Sequence, residues 1–318
     1  MSTETASKSV RSVEIVLAYG AIYVIWGSTY LAILFAIDSI PPFLMAGMRF
    51  LIAGSMLIVW MRLRGAPRAS WHQWRSAGII GFLLLVVGNG ALSWAEQRVP
   101  SGIAALIIAS IPAMVVILEF LTSGLRPSVA TTGGLSLGSV GTLVLVDPAR
   151  LTGSGGVDLV GAGVLMVGSL SWAYGSLYSR RAPQASPALQ STGMQMLSGG
   201  ILLLVVSAVS GELTSFSVGS VTVKSILAVG YLVVFGSMVA FSSYIWLLKV
   251  STPARVSTNA FVNPLLALVL GWLFAGEELN ARVMVASVLT IVAVALIVRG
   301  KYRGTRKKLP PTSPELEV

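Results

Sequence analysis

The chain has 318 residues, of which 55% are hydrophobic and only 11% charged, with a mean hydropathy of +0.83. That composition leaves too little polar surface for a dissolved globule of this length. Cysteine is absent, which excludes disulfides and thiolate metal sites, and the formal charge of +10 needs a location before it implies a partner.

Ten mostly apolar stretches follow one another near 14–36, 43–61, 76–95, 101–122, 131–147, 157–178, 190–209, 225–247, 254–275 and 282–299. Each is close to the ~20 residues that cross a bilayer core as a helix. Met1–Ser12 is short and polar with no small-residue cleavage site after it, so 14–36 reads as a retained span.

Span one carries Tyr19, Tyr23, Trp26 and Tyr30 at spacings that share one helical face. Tyr19 and Tyr30 lie near its ends and suit an interfacial belt. Tyr23, Trp26 and Ser28 lie deeper and are candidates to line a cavity, with helix packing as the alternative. Span two holds Arg49, the only basic residue within a span. It either snorkels outward and binds a neighbour's carbonyls, or serves as counter-charge for a substrate carboxylate. In span three Asn89 and Ser93 are four apart, followed by Trp94. Span four contains Pro112, matched in span nine by Pro264. Both prolines are predicted to kink their helices as hinges, leaving the carbonyls of Ile108 and Ala260 without an intrahelical donor.

Span five is rich in glycine and contains Gly134-Leu-Ser136-Leu-Gly138. The hydrolase elbow of that pattern needs a strand-to-helix turn and a histidine base, but this is a helix interior. The only histidine, His72, lies in a basic loop, so no enzyme is expected. Span six offers Trp172, Tyr174 and Tyr178; span eight Ser243 and Tyr244; span nine Asn259 and Asn263 on one face. Interhelical hydrogen bonds are the alternative reading of the polar groups. Glu119 lies near one end of span four and Glu277 and Glu278 at an outer edge. With no carboxylate expected at the midplane, movement down a gradient is favoured over proton coupling.

The second half repeats the first. At an offset of 146, Trp26 pairs with Trp172, Pro41 with Pro187, and AGMRFLIAG (46–54) with TGMQMLSGG (192–200). At an offset of 152, Trp94 pairs with Trp246 and Pro112 with Pro264. Five spans per copy is an odd number, so the second copy enters the membrane from the opposite side. The expected fold is an all-α integral membrane protein of ten transmembrane helices as two inverted five-helix repeats. The expected layout is an N-terminus 1–13, a first repeat 14–147, an outside linker 148–156, a second repeat 157–299 and a flexible basic tail 300–318.

With a cytosolic N-terminus, the inside segments hold 17 of the 22 basic residues; four lie outside, and Arg49 is within a span. This is the positive-inside pattern, with both termini cytosolic, and the basic excess reports orientation, not nucleic acid. The tail after Arg299 is expected to lie along anionic lipid.

WGSTYLAI (26–33), PPFLMAGMRFLIAG in span two, the prolines of spans four and nine and GEEL at 276–279 resemble the drug/metabolite transporter superfamily. The EamA-type ten-helix exporters are the nearest group, and the match is close to the bacterial aromatic amino acid exporter branch. The resemblance covers about 14–300, with one departure: SGLR at 123–126 stands where many relatives carry a Gly-Glu pair. It implies spans one, three, four, six, eight and nine around a central cavity, and export of amino acids, aromatic ones included, by alternating access. Efflux of lipophilic or cationic toxic compounds is the alternative. No cofactor is implied. The expected partners are a small-molecule substrate and the lipid bilayer of a bacterial inner membrane, with the protein a monomer or weak homodimer.

Overall fold

A computed structural model describes residues 2–99, 104, 107–145, 158–275 and 281–300. The linker 148–156, Glu277, Glu278 and the tail beyond Gly300 lie outside the described residues. Every regular element described is helical: α1 (Ser2–Ile37), α2 (Pro42–Leu63), α3 (Trp71–Ala95), α4 (Ile111–Ser123), α5 (Val129–Leu145), α6 (Leu159–Arg181), α7 (Ala188–Val209), α8 (Val223–Val250), α9 (Asn259–Ala275) and α10 (Ala281–Arg299). Six of these are long and apolar enough to cross a membrane alone. The other four are shorter apolar helices at the expected places, and together they make two inverted five-helix repeats. The polar N-terminal residues continue α1 as helix, since nothing from Ser2 to Val10 is Gly or Pro.

Local chemistry sets the helix ends. Pro42 occupies the first position of α2, where its fixed φ suits a helix start. Ser70 and Gln73 form a capping box at α3, and Asp158 caps α6 by accepting from the N–H groups of Val160 (2.9 Å) and Gly161 (3.0 Å). Gly124 ends α4 at φ 68°, a left-handed conformation that glycine adopts without penalty.

The packing is pseudo-symmetric. α2 lies along α7 and α5 along α10, while α1 packs on α8 and α9 as α6 packs on α3 and α4. Four glycines in register set the first crossing: Gly47 and Gly54 on α2, Gly193 and Gly200 on α7. A Cβ at Gly54 would stand 2.6 Å from the Leu197 nitrogen, and one at Gly200 would stand 2.6 Å from the Leu51 nitrogen. Such backbone approach replaces the hydrophobic drive that lipid does not supply.

A second fastening lies at the end of this pair. The N–H groups of Phe43 and Leu44, in the first turn of α2, donate to the Glu212 carboxylate at 3.1 and 2.8 Å, and the Ser207 hydroxyl donates at 2.7 Å. A carboxylate at a helix N-terminus satisfies orphan donors and meets the positive end of the dipole. Glu212→Gln is expected to lower stability by about 1–3 kcal/mol, seen as a lower midpoint in thermal denaturation in detergent. An unchanged midpoint would contradict this role.

Two features depart from expectation. Pro112 does not kink a continuous span: the helix breaks at Ala109–Ser110, and the proline falls in the first turn of α4, where its missing N–H costs no intrahelical bond. Pro264 lies within α9 as expected, but that span also breaks earlier, at Ser257–Thr258, after the short helix Pro253–Val256. Both α3 and α8 contain π-helical stretches, Phe82–Asn89 and Leu232–Phe241, at equivalent places in the two repeats.

Candidate functional site

Seven helices enclose a cavity of about 100 Å³, against the ~10–15 Å³ that one water needs. Its lining comes from α1, α2, α3, α6, α8 and α9, with Ile108 and Ile111 from span four; α5 and α10 contribute nothing described. The two π-helical stretches supply Leu85, Gly88, Asn89, Gly236 and Phe241. An added residue per turn re-aims the following side chains, a common device at functional sites.

The register-matched tryptophans form an aromatic wall. The rings of Trp26 and Trp172 meet edge to face at 5.7 Å, and Tyr244 lies 5.1 Å from the first and 5.4 Å from the second. The indole N–H of Trp172 donates to the Tyr244 hydroxyl at 2.8 Å, and that hydroxyl also pairs with Ser176 at 2.6 Å. The Trp26 indole donates to the Gly236 carbonyl at 3.2 Å. Both indole donors are therefore used in fixing the rings, leaving apolar surface for a ligand. Gly88 makes room: a Cβ there would stand 2.9 Å from the Trp172 ring.

Arg49 is 3% exposed and lines the same cavity. Its Nε donates to the Ser237 hydroxyl at 2.8 Å and its guanidinium lies 4.5 Å from the Phe50 ring centroid, yet its Nη1 is buried with no hydrogen-bond partner. A buried donor on a charged group that lacks a partner is costly, unless a ligand supplies one. The amide oxygens of Asn89 and Asn263 are likewise buried and unpartnered. Asn259 and Asn263 both line the cavity, and so does Ala260 between them.

Trp26, Arg49, Asn89, Trp172, Asn259 and Asn263 are thus brought together, while the other candidates lie off the lining. Tyr23 bonds to Thr258 at 2.7 Å, and Tyr19, one turn away, to Ser251 at 2.8 Å. These pairs tie α1 to the segment joining α8 and α9, on the side of the bundle where α10 ends. Ser28 is spent on the Ile25 carbonyl (2.7 Å) and the Tyr231 hydroxyl (2.6 Å). Ser93 is fully buried with its hydroxyl unpartnered, and Ser243 is half-buried; neither reaches the cavity. Trp94 packs with Ala95 and Leu165 beneath the Arg98 guanidinium, 4.6 Å away. Tyr174 is 48% exposed and points out of the bundle, and Tyr244 supports the wall from behind. Neither proline side chain lines the cavity, but Ala260, whose carbonyl Pro264 deprives of an intrahelical donor, does, and so does Ile108.

The sequence reading missed two groups. Tyr30, which its place near a span end suggests is interfacial, lines the cavity together with Thr29 and Ile33. Glu96, just past α3, has a buried carboxylate oxygen without a partner and lies within electrostatic reach of Arg49 and Tyr30. Its signal in the sequence is isolation: it is the only carboxylate between Asp38 and Glu119.

Comparison with known proteins agrees with this architecture. Segments 14–147 and 159–299 each match the EamA-like transporter family, one match per repeat. The uncharacterized inner membrane transporter YedA of Escherichia coli (strain K12) is 37% identical over 284 residues, covering 89% of this chain and 90% of YedA. Protein PecM of Dickeya dadantii (strain 3937) is 27% identical over 289 residues, covering 90% and 93%. A solved crystal structure superposes with a TM-score of 0.72 at 20% identity, over 90% of this chain and 97% of the other, a likeness of fold. Matched in both halves and across nearly its whole length, the chain belongs to the EamA-like transporter family and is a membrane transporter.

Proposed function

We propose that this transporter exports small amino acids and related carboxylates, aromatic ones included, from the cytosol of a bacterium across its inner membrane. The observation that carries the reading is the unpartnered Nη1 of Arg49, buried in a cavity walled by Trp26 and Trp172. A guanidinium with an open donor nitrogen, next to apolar aromatic faces, fits a ligand with an anionic head and a flat apolar body. A lipophilic cation would meet Arg49 as a like charge, which weighs against the toxic-compound alternative.

Alternating access follows from inverted halves. The Tyr19–Ser251 and Tyr23–Thr258 pairs would seal the cytosolic side in this conformation, with orientation taken from the basic residues gathered on the termini side. Their exchange for contacts on the other side would reverse access. Movement down the substrate gradient suffices as the driving force.

The test is a competition series in proteoliposomes. Saturable uptake of labelled phenylalanine is expected, inhibited by neutral amino acids and not by lipophilic cations. Inhibition by the cations alone would overturn the reading.

A further inference from the structure

We propose that α9 carries a second recognition element, an acceptor patch that binds the substrate's primary ammonium group. The inference rests on the amino-acid reading above and adds what that reading leaves open: whether the cavity requires both charges of a zwitterion or the carboxylate alone.

Three acceptors fall at positions 259, 260 and 263 of α9, all on the cavity lining. The Asn263 side chain is 3% exposed, lines the cavity, and its amide oxygen has no hydrogen-bond partner. Asn259, one turn earlier, is 9% exposed and lines the cavity too. Between them lies Ala260, also on the lining, whose carbonyl would accept from residue 264 in an unbroken helix. Residue 264 is proline and has no N–H to give. Amide oxygens and a freed carbonyl are acceptors without charge, suited to an ammonium, which brings three donors and no acceptor.

Symmetry sharpens the case. The first-repeat equivalents of Asn259 and Asn263 are Ile107 and Ile111, and Ile111 lines the cavity as an apolar residue. Packing of two inverted copies is therefore met by isoleucine at this position, and the polar pair on α9 departs from it at the cost of burying an unsatisfied amide. The close approach of α9 to α1 fixes the patch: a Cβ at Gly27 would stand 2.8 Å from the Leu266 Cβ and 3.5 Å from the Asn263 carbonyl oxygen.

The experiment measures inhibition of labelled phenylalanine uptake in proteoliposomes by phenylalanine and by 3-phenylpropanoate, which keeps the carboxylate and ring but lacks the ammonium. In the wild type, 3-phenylpropanoate is expected to inhibit at least about tenfold more weakly, the worth of one hydrogen bond to a charged group. In Asn263→Leu, phenylalanine should weaken by about tenfold and 3-phenylpropanoate by less than about twofold, closing the gap. Asn263→Asp keeps the side-chain shape and should widen the gap, and being read as a ratio within one variant it serves if the leucine variant folds poorly. Equal inhibition by the two compounds in the wild type, or parallel changes in both variants, would overturn the ammonium patch while leaving the carboxylate reading intact. No inhibition by either compound would overturn the carboxylate reading first, and the patch with it.

Discussion

Arg49→Gln is expected to reduce phenylalanine transport by at least about 30-fold, with the protein still inserted and folded. The loss follows from where the guanidinium lies. It is buried in the cavity, held at one nitrogen by Ser237 and against the Phe50 ring, and its Nη1 has nothing to bond. If a substrate carboxylate is the missing partner, removing the charge forfeits about 2–5 kcal/mol of pairing, and each 1.4 kcal/mol is a factor of ten in affinity. Arg49→Lys separates charge from geometry. A lysine keeps the positive charge but not the planar fork that Ser237 and a carboxylate engage together, so partial recovery is expected. The affinity for substrate should fall more steeply than the maximal rate, because the interaction is made in the bound state. The register mate of Arg49 is Gln195, fully buried on α7, so glutamine is a size that this packing already holds in the other repeat. Retained uptake in Arg49→Gln would show that the charge serves packing and not cargo.

Gly54→Ala is expected to destabilise the bundle strongly for a change of one methyl group. The added Cβ would fall 2.6 Å from the Leu197 nitrogen and 2.8 Å from the Gly193 carbonyl oxygen, both backbone atoms that cannot rotate away. Separating α2 from α7 to admit it would loosen the contact along their length, at a cost of about 2–3 kcal/mol. Gly163→Ala on α6 is the control. Nothing lies within 4 Å of its Cβ, and the alanine gains helix propensity, so stability should hold or rise by up to about 1 kcal/mol. Denaturation followed by tryptophan fluorescence distinguishes the two; equal midpoints would contradict the close-approach account.

Much of this architecture is legible in the amino-acid sequence. The spans are readable because lipid demands long apolar runs, and the inversion because five is odd. Arg49 and Trp26 stood out as residues that a bilayer interior does not ordinarily tolerate or need. Asn259 and Asn263 share a face of an α-helix, and their isoleucine counterparts set them apart. Other positions were hidden for definite reasons. Tyr30 sits near a helix end, where an interfacial tyrosine and a cavity tyrosine look alike. Tyr174 was separable in principle: two residues from Trp172 is about 200° around a helix, so only one of them can face inward. The π-helical stretches have no sequence signature comparable to a cap or a proline, and they rotate Asn89 relative to an ideal helix. The hydroxyls of Tyr23, Ser28 and Tyr244 were visible as polar groups, but only partners distant in sequence reveal that each is already engaged. Glu96 is hard to pick out because it falls one residue past the apolar run, and only the fold brings it within electrostatic reach of Arg49 on α2.

The central claim is that the cavity among α1, α2, α3, α6, α8 and α9 carries a carboxylate-bearing substrate from one face to the other. Counterflow tests it most directly. Proteoliposomes loaded with unlabelled phenylalanine are diluted into labelled phenylalanine, and internal label is followed with time. The account predicts a transient overshoot of label in the wild type, abolished in Arg49→Gln and undiminished by a protonophore. Absence of an overshoot in the wild type, or an equal overshoot in both proteins, would contradict it.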